Sequence, residues 1–105
     1  MATVVLRTET VGGAPVAAVE VGDVPEAMTA RELIRLRARD EFSRTFPDAP
    51  EHDRERQADQ AERAFLANGF FLLVGDRQVL ELDEMVELGT VAEVVFLRLV
   101  PLVGG

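Results

Sequence analysis

The sequence contains no cysteine, which excludes disulfides, thiolate metal sites and a cysteine nucleophile. It contains no lysine either: all eleven basic residues are arginine, as a GC-rich genome favours. No side-chain amine can therefore receive an isopeptide-type link, and only the N-terminus is left as an acceptor. Tryptophan and tyrosine are absent and six phenylalanines supply all the aromatics, so a core has to be assembled mainly from Val, Leu, Ile and Phe. Apolar runs reach about five residues, far short of the roughly 20 that a membrane-spanning helix needs. Met1-Ala2-Thr3-Val4-Val5 lacks the basic region and apolar stretch of a secretory signal, and a cytoplasmic location is expected. Nineteen acids against eleven bases give a net charge of −8. That balance argues against nucleic acid or an anionic membrane as partner. It fits either a protein partner with a basic face or simple solubility.

What is present suffices for one domain: 105 residues, nearly half of them apolar. Thr3–Glu9 is rich in β-branched residues and predicts a strand; Gly12-Gly13 predicts a turn and Val16–Val21 a second strand, together an N-terminal hairpin. Gly22-Asp23-Val24-Pro25 interrupts the pattern. Thr29-Ala30-Arg31-Glu32 is a capping box that opens a helix. Ala30, Leu33, Ile34, Ala38 and Phe42 form its apolar stripe, Arg31, Arg35 and Arg39 line another face, and Phe46-Pro47 stops it. Asp48, with Glu51 three residues on, predicts the cap of a second helix running to about Ala67 and ending at Asn68-Gly69. Its apolar edge is narrow, confined to Ala58, Ala61, Phe65 and Leu66, which predicts weak packing.

Phe70–Val74 is a continuous apolar run, expected to be a strand covered on both faces. Gly75–Gln78 predicts a turn, Val79–Leu82 a short strand, and Asp83–Thr90 a connection whose Met85, Val86 and Leu88 can plug the core. Val91–Val100, with only Glu93 and Arg98 charged, predicts the longest strand, central in the sheet; Pro101 ends it. The order β-β-α-(α)-β-β-β predicts an α+β domain with a helix packed on one face of a mixed sheet.

Three segments carry a resemblance. Leu73-Val74-Gly75-Asp76-Arg77-Gln78-Val79-Leu80 is similar to the hairpin between the third and fourth strands of ubiquitin, and Val95-Phe96-Leu97-Arg98-Leu99 to its last strand. Pro101-Leu102-Val103-Gly104-Gly105 resembles the ending of the molybdopterin-synthase small subunit and related sulfur carriers, and that of a group of bacterial ubiquitin-like proteins. The whole resembles the ubiquitin-like β-grasp superfamily over residues 1–46 and 70–105, with 47–69 read as a helical insertion, 1–100 as the single domain and 101–105 as a flexible tail.

The resemblance implies a protein that is not itself an enzyme. An E1-like enzyme, which brings the ATP and Mg²⁺, would adenylate the Gly105 carboxylate. Gly104 and Gly105 would enter its narrow channel because they lack a Cβ, while Leu102 and Val103 bury apolar area and Pro101 limits the unbound conformers. Conjugation to a target protein, with an E2-like enzyme, is one outcome. A thiocarboxylate that passes sulfur to a synthase is another, and a noncovalent interaction module is a third. Arg98 and Arg77 are candidates for the partner surface, since charges in or beside apolar strands usually point to solvent. His52 among Asp48, Glu51, Asp53 and Glu55 reads as a solvated helix start rather than a metal site. Glu81, Asp83 and Glu84 have no nucleophile or base beside them, and Gly12-Gly13 lacks the Lys-Ser/Thr of a phosphate loop. No cofactor is expected on the chain.

Overall fold

Thr29 opens the first helix, α1 (Ala30–Thr45), through the reciprocal pair expected of it. Its Oγ1 accepts the Glu32 N–H at 3.2 Å, and the Glu32 carboxylate accepts the Thr29 N–H at 3.2 Å. Phe46 caps the other end, donating its N–H to the Phe42 carbonyl just before Pro47. Residues 1–10, 15–90 and 93–98 are described by the computed structural model; the Gly12-Gly13 turn, the two ends of the 91–100 run and the Pro101–Gly105 tail lie outside them.

The second helix, α2 (Glu51–Leu66), starts later than Asp48 would place it. Pro50 is the N-cap and no side chain caps the helix, which corrects the assignment of Asp48. The physical reason is Pro50 itself: it disfavours the helical region for Ala49, which an Asp48 cap would make the first helical residue, so the start moves past Ala49. The C-terminus closes as a Schellman motif. Gly69 donates to the Ala64 carbonyl at 2.7 Å and Asn68 to that of Phe65 at 3.0 Å, with Asn68 in the left-handed region at φ 61°.

The strands are β1 (Ala2–Thr10), β2 (Pro15–Val24), β3 (Ala27–Thr29), β4 (Phe70–Val74), β5 (Arg77–Val79), β6 (Met85–Glu87) and β7 (Glu93–Arg98). Five of them form a mixed sheet in the order β2-β1-β7-β4-β5. β1 and β7 pair in parallel, with Val5 opposite Glu93 and Thr10 opposite Arg98; the other pairings are antiparallel. The last described strand thus sits at the centre, as its composition predicts. The β4–β5 hairpin turns at Gly75-Asp76, and Gly75 at φ +61° takes the conformation that side chains rarely adopt. Arg77 and Gln78, expected in the turn, are already in β5.

The 83–90 connection contains a strand that its sequence does not announce. β6 pairs with β3 in a separate two-stranded ribbon, Met28 opposite Val86. Ala30 and Arg31 donate to the Glu84 and Leu82 carbonyls at 2.8 and 2.9 Å, which ties the start of α1 to this loop. Val86 and Leu88 plug the core as expected, whereas Met85 is exposed.

The protein is α+β, with both helices against one face of the sheet. Val4, Leu6, Leu72, Val74, Val94 and Phe96 meet Leu33, Ile34 and Phe65 in one core. Burying side chains of this kind contributes about 1.5–3 kcal/mol each. The opposite sheet face is only half covered: Phe71 and Leu73 of β4, and Val95 and Leu97 of β7, are intermediate in exposure. This corrects the expectation that β4 is covered on both faces. Helices cover one side only, and the alternation shows in the burial of the strands although not in their composition.

Candidate functional site

Strand β7 leads toward the predicted tail, and its last described residue, Arg98, is flanked by Thr10 of β1 and Phe70 of β4. The last described residue of the chain therefore lies in the middle of the sheet. Pro101, Leu102, Val103, Gly104 and Gly105 themselves lie outside the described residues.

The two arginines expected to mark a partner surface are not brought together. Arg98 pairs across from Phe70, and Arg77 from Val74, at opposite ends of β4. At a strand rise of ~3.3 Å per residue they stand roughly 13 Å apart along the sheet. Neither belongs to the open face. Arg98 shares strand parity with Val94 and Phe96, and Arg77 with Val79, all on the helix-covered side. Each reaches solvent because it lies at the margin of that side. Arg77 is exposed and paired with Glu84, which also closes the turn by accepting the Leu80 N–H.

The open face is apolar at its centre. Leu97 lies between Phe71 and Glu9 in register, and Val95 between Leu73 and Arg7. The four apolar side chains sit beside one another across β4 and β7, beginning at the Arg98 end of β7. Glu93 and Glu9 border them through Arg7, whose guanidinium meets Glu93 at 3.1 Å and Glu9 at 3.4 Å. The hydrogen bond and charge of Glu93 raise the Arg7 pKa above its usual value, so the charge on this border is fixed. Strand parity is the signal that finds this patch: residues two apart share a face, and the buried set 94 and 96 leaves 95 and 97 outward.

Between the helices the acidic composition finds internal use. Arg31, Arg35 and Arg39 recur at i+4 on α1, and Glu55, Asp59 and Glu62 answer from α2. Arg39 grips Glu55 through two hydrogen bonds of 2.6 and 2.7 Å; Arg35 reaches Glu55 at 3.0 Å and Asp59 at 2.8 Å, and also contacts Glu62. Arg39 and then Arg35 hold the Glu55 carboxyl down at about 2 from an ordinary 4.5. Arg35 is raised in turn, mainly through Asp59.

Two further candidates lie beside side chains of their own surroundings rather than forming a site. Asp83 meets Arg31 at 2.7 Å, and His52, exposed at the start of α2, lies 3.3 Å from Asp53. Among the described residues no group of three or more His, Asp or Glu side chains is placed to hold a metal ion, and no helix is long and apolar enough to cross a membrane. Comparison with protein-family models, with curated proteins and with solved structures found no match in any of the three.

Proposed function

We propose that this chain is a ubiquitin-like β-grasp protein modifier whose Gly105 carboxylate is activated by an E1-like enzyme and joined to a target. The observation that carries the reading is the position of β7. A mixed sheet lies against a main helix, and its last strand runs at the centre, parallel to the first, seven residues before Gly105. Such an arrangement anchors the base of a tail firmly while leaving the tail to be handled elsewhere. The half-covered patch of Phe71, Leu73, Val95 and Leu97 begins beside that base and is the surface on which an activating enzyme would dock.

A free carboxylate, with a pKa of about 3.5, is ionised at neutral pH and a poor electrophile. In the proposed reaction one of its oxygens attacks the α-phosphorus of ATP, and pyrophosphate leaves. A nucleophile on the target or on the enzyme then attacks the acyl carbon and AMP departs. The chain supplies the carboxylate and the fit of its tail; the nucleotide and Mg²⁺ belong to the enzyme. Gly104 and Gly105 allow the backbone to approach the nucleotide without a Cβ in the way.

The Pro101-Leu102-Val103-Gly104-Gly105 ending favours a second reading, a sulfur carrier in which the terminal carboxylate becomes a thiocarboxylate. Intact mass separates the two after the protein is isolated from its host, or incubated there with the activating enzyme and ATP. Adducts of protein size that disappear in Gly105→Asp support the modifier. A gain equal to the exchange of one oxygen for one sulfur supports the carrier. An unchanged mass under both conditions rejects both and leaves a noncovalent module. Gly104→Ala is expected to abolish adduct formation while changing stability by less than about 0.5 kcal/mol in urea unfolding.

A further inference from the structure

We infer that the cleft between α1, α2 and the Arg98 end of the sheet is a binding site for a small amphipathic carboxylate. The cleft encloses about 450 Å³, within the roughly 300–1,000 Å³ usual for small-molecule sites. Its apolar wall is made by Phe42, Phe46, Phe70 and Phe96. The rings of Phe42 and Phe46 lie 5.1 Å apart, and those of Phe70 and Phe96 lie 5.9 Å apart.

Two guanidiniums share this wall in a protein with nearly twice as many acids as bases. Arg37 is held rigidly. Its Nε and Nη2 donate to the buried Thr8 hydroxyl at 3.2 and 2.7 Å, its guanidinium lies 4.9 Å over the Phe96 ring, and Glu41 meets it at 2.9 Å. Arg98 is close enough to disfavour the Arg37 charge, and no described carboxylate is paired with it. Glu41 neutralises one of the two cations, so the cleft retains one positive charge beside four aromatic rings. Across from them α2 presents only Gln57, Gln60, Ala61 and Ala64, none of which can neutralise it. An apolar body against the phenylalanines with a single carboxylate on Arg98 satisfies both halves of the site. A dianion would oppose Glu41, and a neutral ligand would leave Arg98 unanswered.

Octanoate, with octanol as its uncharged counterpart, tests this in amide-resolved NMR titrations of the full chain. Saturable shifts are expected at Phe42, Ala61, Ala64 and Phe96, with octanol at least about tenfold weaker, the factor a charge-assisted hydrogen bond contributes. Arg98→Gln, at an exposed position that should leave the melting temperature unchanged, is expected to weaken octanoate about tenfold and leave octanol unaffected. Equal affinity for the acid and the alcohol would overturn the proposal. So would shifts confined to Val95 and Leu97 on the open face, the absence of saturation, or an Arg98→Gln protein that binds octanoate as well as the parent.

Discussion

The seam between α1 and α2 has two flanks, and they differ by what α2 presents to the arginines of α1. On one flank Glu55, Asp59 and Glu62 recur at i+4 and i+3, and Arg31, Arg35 and Arg39 find an acid each. That flank is closed. On the other flank Gln57, Gln60, Ala61 and Ala64 occupy the corresponding positions, and the cleft with Arg37 and Arg98 opens there. The two flanks share the same helices. Charge complementarity, set by residue spacing on α2, decides which side is stitched and which stays accessible.

If this is right, an apolar anchor holds α2 in place and the ion pairs only orient it. The largest expected effect therefore belongs to Phe65, 7% exposed and packed 5.8 Å from Phe70. Phe65→Ala is expected to cost about 3–5 kcal/mol in urea unfolding. A loss below about 1 kcal/mol would mean that α2 is not part of the cooperative unit. Replacing residues 48–68 by a short loop asks the same question: a cooperative transition would mark the helix as a dispensable addition, and its loss would place the helix in the core.

Next comes the closed flank. Arg35, whose side chain is 17% exposed, contacts three carboxylates, and Arg35→Ala is expected to cost about 1–2 kcal/mol at low salt. The difference from the parent should shrink at 1 M salt, where exposed pairs are screened. Equal losses at both salt concentrations would make the contribution one of packing rather than charge.

Glu55 gives the flank a pH dependence. Its carboxyl is lowered from 4.5 to about 2 by Arg39 and Arg35, so the folded state binds this proton less readily than the unfolded chain does. The resulting stabilisation is fully present above pH 4.5 and disappears as the pH falls toward 2. Melting temperatures of the parent and Glu55→Gln should therefore differ at pH 7 and converge at about pH 2. A constant difference across that range would exclude the titration of Glu55 as its source.

The smallest effect sharpens the comparison from the open side. Gln60→Glu places an acid on the cleft flank of α2, across from Arg98. Stability is expected to rise by only about 0.2–0.5 kcal/mol, as for other exposed pairs. Octanoate binding should weaken at the same time, because the new carboxylate competes for the same guanidinium.

Much of the fold was legible because its signals are local. The Thr29–Glu32 box, the stop at Pro47, the Asn68-Gly69 terminus and the Gly75 turn each depend on a few adjacent residues whose backbone needs are specific. The β3–β6 ribbon was not legible: two three-residue segments far apart in the chain, with no alternation long enough to register, pair only because the fold brings them together. Asp48 misled because a good capping residue is overruled by a proline two positions on. Which side of the sheet Arg98 and Arg77 lie on was not legible, because a strand of uniformly apolar residues hides which parity is covered. Once 94 and 96 are known to face the helices, Arg98 must follow them. The Arg31/35/39 and Glu55/Asp59/Glu62 ladders are legible by spacing alone, since each recurs along one helix face at i+3 or i+4.

Strand β7 has one more consequence, for the order in which the molecule can be made. Val5 and Glu93 are register partners although 88 positions separate them. Until β7 emerges during synthesis, the β1–β2 and β4–β5 hairpins have no common neighbour, and each offers a bare strand edge to the surroundings. Such edges invite pairing with foreign chains, and contacts of such long range form slowly. A ribosome stalled shortly before residue 93 would thus hold two half-sheets open at once, and it is the arrival of β7 that brings them together.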